Sequence, residues 1–510
     1  MHLRYLNIYG YDFTRLPRSL SNLYHLQYII ISSLSCKLRH TKVDDDFLPS
    51  GINNLSNLCY VELPENSIPS ICGIGKLKPL QELNMFNLRD ASGYRIGELE
   101  NMNDLCKLGI NFLENVKEAV EACSAKLYAK RRLTDLTLRW NNMNWRNIYL
   151  DDENVLDNLQ PPKCLRNLSI ERYMGARSAI WMNNVNPIFN LEKIELSHCR
   201  NWEALPAFGQ LPFLKSLTLY NMSKVKWLES KSNGNDKYHA FPLLEVLRIY
   251  NSEALEDWFE AGVAVEDGSL FPCLIELVLS NCPMLKESPS LPSKLKRLYI
   301  ENIGWTTLNF YSNSNPIPLE TLEVSRCPNI TSLPLADEIA RLAALRSLTI
   351  TKCPNLMSLG EMQTTNNFHL ILSNLSISDP SVLLMEPLRS IASLKTLRIA
   401  DNDVLVSFPN EADEWFLRVR ASICELEFKR LKSLQSLPSA MESLSSLQKL
   451  SIDHVPMLRE FPNLPPSLKR LIIGNCHPEI KERYGEDGSS DRHKISHIPH
   501  ISISVFSFYG

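Results

Sequence analysis

The chain of 510 residues lacks long apolar runs, a basic excess and the short motifs that mark an enzyme. Its apolar stretches are strand-sized, such as Tyr28 to Ile31, far below the roughly 20 residues that a membrane helix needs. The opening residues, MHLRYLNIYGYDF, show no basic region followed by an apolar core, so no secretory leader is expected. Lys and Arg total 54 against 57 Asp and Glu, a formal net charge of −3, which leaves no basic footprint for nucleic acid. The 13 cysteines include no C-x-x-C pair and no zinc-type spacing with histidine. Reduced thiols point to an intracellular protein, with the cytoplasm or the nucleus as the expected location.

Catalytic signatures are missing too. GIGKLK (Gly73 to Lys78) has the lysine of a phosphate loop, but Leu77 follows it and Ser70 stands where the loop needs glycine. The segment reads as a turn. G-x-S-x-G and H-E-x-x-H do not occur. The acidic run Asp44 to Asp46 reads as a solvated loop, and His477, His493, His497 and His500 match no metal-ligand pattern. The expectation is a non-enzymatic chain with no catalytic residue, no metal and no cofactor of its own.

What is present is one phrase, repeated. LIELVLSNCPML (Leu274 to Leu285), LETLEVSRCPNI (Leu319 to Ile330) and LRSLTITKCPNL (Leu345 to Leu356) share L-x-x-L-x-L, then a cysteine, then an apolar residue. LEKIELSHCRNW (Leu191 to Trp202) and LKRLIIGNCHPE (Leu468 to Glu479) vary it at their ends. The strand core recurs from Leu3 to Leu468 about every 26 residues, the signature of leucine-rich repeats. The expected fold is an α/β solenoid, a leucine-rich-repeat horseshoe with a concave parallel β-sheet and an irregular, short-helical convex side. Leucine-rich repeats are expected over residues 1–86 and 141–480. Residues 87–140 form a repeat segment with an inserted helix, and 481–510 a polar tail in which ISISVFSF (Ile501 to Phe508) either pairs as a last strand or frays. The insert, Phe112 to Leu133, places Val116, Ala119, Val120, Cys123, Leu127 and Tyr128 at helical spacing. LQELNM (Leu80 to Met85) reads as one strand motif, with Met85 as its last inward residue. The polar stretches Ser230 to His239 and Ala261 to Ser269 read as surface loops.

Two sets of positions stand out against this frame. Cys199, Cys282, Cys327, Cys353 and Cys476 share one repeat position, three residues after the last apolar residue of the strand. There a thiol serves as a small buried hydrophobe and a weak donor to the backbone. With the first leucine as position 1, positions 3, 5 and 7 point away from the core. They bring Tyr5, Tyr28 and Tyr60 into one column, set Tyr220 beside Tyr250 with Arg248 and Tyr299 near, and allow Arg139 to pair with Glu171. Exposed aromatics interleaved with arginine have the composition of binding hot spots, while strands favour tyrosine on packing grounds alone.

MHLRYLNIYG with LPRSLSNLYHLQ, GIGKLKPLQELNMF, GYRIGELENMNDL, NVKEAVEACSAKLYAKRRLTDLTLRW and the closing CHPEIKERYGEDGSSDRHKISHIPHISI together resemble one family. It is the leucine-rich-repeat region of plant intracellular immune receptors of the coiled-coil nucleotide-binding type (NLRs). The resemblance implies protein partners: a pathogen effector, a guarded host protein or the receptor's own switch domain. ATP or ADP enters only with an upstream nucleotide-binding domain, which a chain starting inside the repeats does not carry. Neither nucleic-acid binding nor membrane insertion is implied. Two other roles remain open on the sequence: the substrate receptor of a ubiquitin ligase, and a decoy or truncated receptor that binds without signalling.

Overall fold

The computed structural model describes residues 2–9, 15–32, 48–62, 71–141, 149–183, 188–229, 241–259, 271–286, 290–310, 316–361, 370–485 and 490–505. The acidic run at Asp44 to Asp46 and the loops at Ser230 to His239 and Ala261 to Ser269 lie outside them. The chain divides into two compact units, Met1–Phe271 and Pro272–Gly510.

The first unit opens with a parallel three-stranded sheet of β1 (Tyr5–Tyr9), β2 (Tyr28–Ser32) and β3 (Tyr60–Glu62). A parallel ladder follows, built from β4 (Glu82–Asn87), β5 (Lys107–Asn111), β6 (Asp135–Arg139), β7 (Asn167–Glu171), β8 (Lys193–Ser197), β9 (Ser216–Tyr220) and β11 (Val246–Tyr250). Two short strands on the return path, β10 (Trp227–Glu229) and β12 (Asp257–Phe259), pair with each other. The second unit is a ladder running in chain order through β13 (Glu276–Cys282), β14 (Arg297–Ile303), β15 (Thr321–Ser325), β16 (Ser347–Thr351) and β17 (Asn374–Ile377). It continues with β18 (Thr396–Ala400), β19 (Glu425–Lys429), β20 (Lys449–Asp453), β21 (Arg470–Cys476) and β22 (His500–Val505). The tail therefore does supply a last strand, His500–Val505, seated on β21.

A strict alternation of buried and half-buried residues runs through β6, β7, β11, β15 and β16. Positions 4 and 6 are the buried ones, because side chains two apart share a face of a strand. They stack between repeats: Leu322, Leu348 and Leu375 are register partners and at most 1% exposed. Each unit is thus a leucine-rich-repeat array, in which every repeat buries its leucines against its neighbours. Among the described residues, no helix is long and apolar enough to cross a membrane.

Two local readings need correction, and a third feature was not expected. The stretch Phe112 to Leu133 is not one helix. It contains a 3-10 turn at Leu113–Asn115, a single α-turn at Ala119–Ala122, further 3-10 turns at Cys123–Ala125 and Leu127–Ala129, and a left-handed break at Lys126 (φ 47°). A continuous helix of that length would run about 33 Å at 1.5 Å per residue, too far for one repeat to return to the sheet. The chain instead buries Leu113, Val116, Ala122, Ala125 and Leu127, while Val120 (75%) and Tyr128 (63%) face solvent.

Met85 is not the last inward residue of β4. Register passes from Leu83↔Leu108 to Phe86↔Ile110, so one extra residue bulges and Phe86, not Met85, is buried. Gly109 lies opposite that bulge.

The third point is an unexpected backbone state. Position 8, at or just past the end of the strand, is left-handed in most repeats, with φ between 48° (Asn302) and 63° (Asp401). Asn221, Asn251, Asn281, Asn302 and Asn475 suit it, since a short polar side chain tolerates this region. Its amide donates to the position 7 carbonyl of the following strand, as from His198 to Tyr220 at 2.7 Å and from Asn221 to Tyr250 at 2.9 Å. The turn thereby leaves the strand without orphaning a backbone donor.

Candidate functional site

The outward residues of the first unit fall into three groups. Tyr5, Tyr28 and Tyr60 are direct register partners, with ring centroids 6.0 and 6.3 Å apart. Tyr60 also donates to the Glu62 carboxylate at 3.0 Å, and burial, followed by that carboxylate, pushes its phenol up to about 12. Arg139 and Glu171, partners across β6 and β7, form a two-pronged pair at 2.6 and 2.7 Å, and Arg139 reaches Asn111 Oδ1 at 3.2 Å. Glu171 holds the guanidinium above its ordinary range. The pair joins three adjacent strands and occupies its own charges, which makes it a brace more than a contact surface.

The third group lies on β9 and β11. Tyr220 and Tyr250 are register partners with centroids 5.9 Å apart, and Tyr220 is 37% exposed. The structure extends this pair in a way the sequence reading missed. The ring of His198, in the left-handed place after β8, lies 5.0 Å from Tyr220. Burial, then Arg172 and Arg200, push the His198 imidazole down, so it is neutral near pH 7. The signal available in the sequence was that Arg172 and His198 occupy position 8 of successive repeats. Arg248 sits two residues before Tyr250 on β11, opposite Thr218 of β9. Tyr299 belongs to the second unit, between Val278 and Glu323.

The repeat cysteines do what their position implies. Cys199, Cys282, Cys327 and Cys476 are buried and Cys353 nearly so. Each donates to the carbonyl two residues before it, at 3.5 Å for Cys199, 3.7 Å for Cys282, 3.1 Å for Cys327, 3.4 Å for Cys353 and 3.2 Å for Cys476. Burial pushes Cys199 up to about 12 and Cys476 up to about 11. Both remain thiols at neutral pH and are poor nucleophiles. A thiol reagent applied to the native protein is expected to modify exposed Cys72 and Cys123 and to spare Cys199 and Cys476 until denaturation. Peptide mass mapping checks this; native labelling of Cys199 would put that strand end in solvent.

Lys130 is a second residue that composition concealed. It is fully buried and donates to the carbonyls of Leu99 at 2.6 Å and Met102 at 3.0 Å. Desolvation lowers it to about 8. It ties the broken return segment to the repeat before it. In the tail, His477 caps the helix Pro478–Tyr484 by accepting from the Glu479 amide at 3.2 Å, and His497 contacts the Pro465 carbonyl. Among the described residues, no group of three or more His, Cys, Asp and Glu is placed to hold a metal ion. The arrangement offers adjoining aromatic rings and a guanidinium on paired strands, which suits non-covalent recognition.

Residues 96–222 match the family model described as R13L1/DRL21 LRRs. Disease resistance protein RGA2 of Solanum bulbocastanum is 33% identical over 267 residues, covering 51% of this chain and 27% of that protein. A putative disease resistance RPP13-like protein 1 of Arabidopsis thaliana is 30% identical over 348 residues, covering 64% of this chain and 30% of that one. The chain thus spans under a third of the length of these curated relatives. A crystal structure of a TLR13–ssRNA13 complex aligns with a TM-score of 0.44 at 16% identity, over 98% of this chain and 71% of that one.

Proposed function

We propose that this leucine-rich-repeat chain, similar in its repeats to plant disease resistance proteins, is a non-enzymatic recognition module of plant immunity. It engages a protein partner through the outward face of β9 and β11. The partner is a pathogen effector, a guarded host protein or the switch domain of the receptor to which such repeats belong. The module works in the cytoplasm or nucleus and uses no cofactor of its own; ATP or ADP belongs to a nucleotide-binding domain of the kind found in such receptors.

The observation that carries this reading is the adjoining Tyr220–Tyr250 ring pair, with Arg248 on the same strand as Tyr250. Aromatic rings and guanidinium on a fixed strand pair lose little entropy on binding, and these residue types dominate interface energetics. The repeat leucines behind them are fully buried, so the outward residues can be changed without opening the core.

Replacing Tyr220, Arg248 and Tyr250 together with alanine is expected to weaken partner binding by about a hundredfold or more, with an unchanged melting curve. Affinity capture from plant extract with the wild-type and triple-variant chains, followed by titration of the captured protein, checks it. Equal affinity would remove the site from this face.

A further inference from the structure

Resting on that recognition face, we propose that its rim, where Arg172 and Arg200 flank His198 at the end of the row of rings His198, Tyr220 and Tyr250, receives an acidic segment of the partner protein. The rings form one continuous surface: His198 to Tyr220 at 5.0 Å and Tyr220 to Tyr250 at 5.9 Å. Arg172 stands one repeat before His198 at the equivalent left-handed place, and Arg200 follows it by two residues. Both guanidiniums act electrostatically on the His198 ring.

Charge pairing sets this rim apart from its surroundings. On the same repeats, Arg139 pairs with Glu171 at 2.6 Å, Arg166 with Glu192 at 2.8 Å, Arg177 with Asp157 at 2.7 Å, Lys193 with Glu195 at 2.8 Å and Lys215 with Glu192 at 3.1 Å. Among the described residues, exposed Arg172 meets only the neutral amide of Asn141, at 2.6 Å, and exposed Arg200 meets no carboxylate. Glu171, the acid that acts on the His198 ring, is already held by both prongs of Arg139. Two uncompensated guanidiniums beside an aromatic surface suit carboxylates spaced along a peptide, with the rings covering its backbone or an apolar side chain. A nucleic acid is the weaker match: its affinity comes from many phosphate contacts, and the rim offers two cations on a chain of net charge −3.

The test uses a fluorescein-labelled peptide of alternating Glu and Tyr, its Gln-for-Glu counterpart and a single-stranded oligonucleotide, titrated by fluorescence anisotropy. The proteins are the wild-type chain and an Arg172→Asn/Arg200→Ala double variant, in which asparagine keeps the left-handed turn. The acidic peptide is expected to bind the wild-type chain about tenfold or more tighter than the Gln peptide. That advantage should shrink with added salt and vanish in the double variant. Equal binding of the two peptides, an unchanged double variant, or tighter binding of the oligonucleotide overturns the inference. Where the double variant still captures the cellular partner and the Tyr220, Arg248 and Tyr250 triple variant does not, the recognition face stands and its acidic preference falls. Where neither variant loses capture, both fall.

Discussion

Leu348→Ala is expected to destabilise the second unit by about 2–5 kcal/mol. Leu348 sits at position 4 of β16 with no solvent exposure, in register with Leu322 on one side and Leu375 on the other. Truncation removes contacts to both neighbours and leaves a cavity that the ladder hydrogen bonds of β15, β16 and β17 prevent from closing. Because each repeat is held mainly by the adjacent ones, the loss should concentrate locally. Amide hydrogen exchange is expected to accelerate most in Thr321–Ser325, Ser347–Thr351 and Asn374–Ile377, together with a lower urea midpoint. A variant that melts and exchanges like the wild type would show that Leu348 does not lie between those two leucines.

Gly109→Ala is expected to cost about 3 kcal/mol, the reverse of the usual sign. In a strand, alanine normally improves on glycine by restricting the unfolded chain. Here an added Cβ would lie 1.9 Å from the Asn84 carbonyl oxygen and 2.8 Å from its carbon. The obstacle is backbone, so no side chain can swing aside. The cause is the extra residue in β4, which pushes Asn84 toward β5 between the pairs Leu83↔Leu108 and Phe86↔Ile110. Urea unfolding of the two proteins settles the sign: a stabilised alanine variant would mean that the bulge is elsewhere.

The sequence makes the fold legible because one constraint repeats. L-x-x-L-x-L can satisfy a strand only with positions 4 and 6 inward, so each repeat reports the same register. The cysteine position was readable for the same reason, since Cys199 and Cys476 answer to the same backbone turn. The tyrosine columns followed once the register was known.

Features that break the period were hidden. In LNMF the added residue lies among apolar neighbours, and hydrophobicity does not say whether Met85 or Phe86 turns inward. The glycine that betrays it, Gly109, is one repeat away in the chain. The return segment from Phe112 to Leu133 carries helical spacing over part of its length, but the repeat dictates where it must rejoin the sheet, and Lys126 turns left-handed to get there. Lys130 could not be recognised as buried, because its partners are the carbonyls of Leu99 and Met102, which carry no sequence signature. His198 lies outside the outward positions 3, 5 and 7, yet its left-handed backbone sets the ring against Tyr220.

The most direct test of recognition through β9 and β11 is hydroxyl-radical footprinting of the chain, alone and with its captured partner, read by mass spectrometry. Bound partner is expected to suppress oxidation of Tyr220 and Tyr250 and to leave Tyr128, 63% exposed on the return path, unchanged. Unaltered oxidation of Tyr220 and Tyr250, with protection at Tyr128 or at Tyr5 and Tyr28, would contradict it.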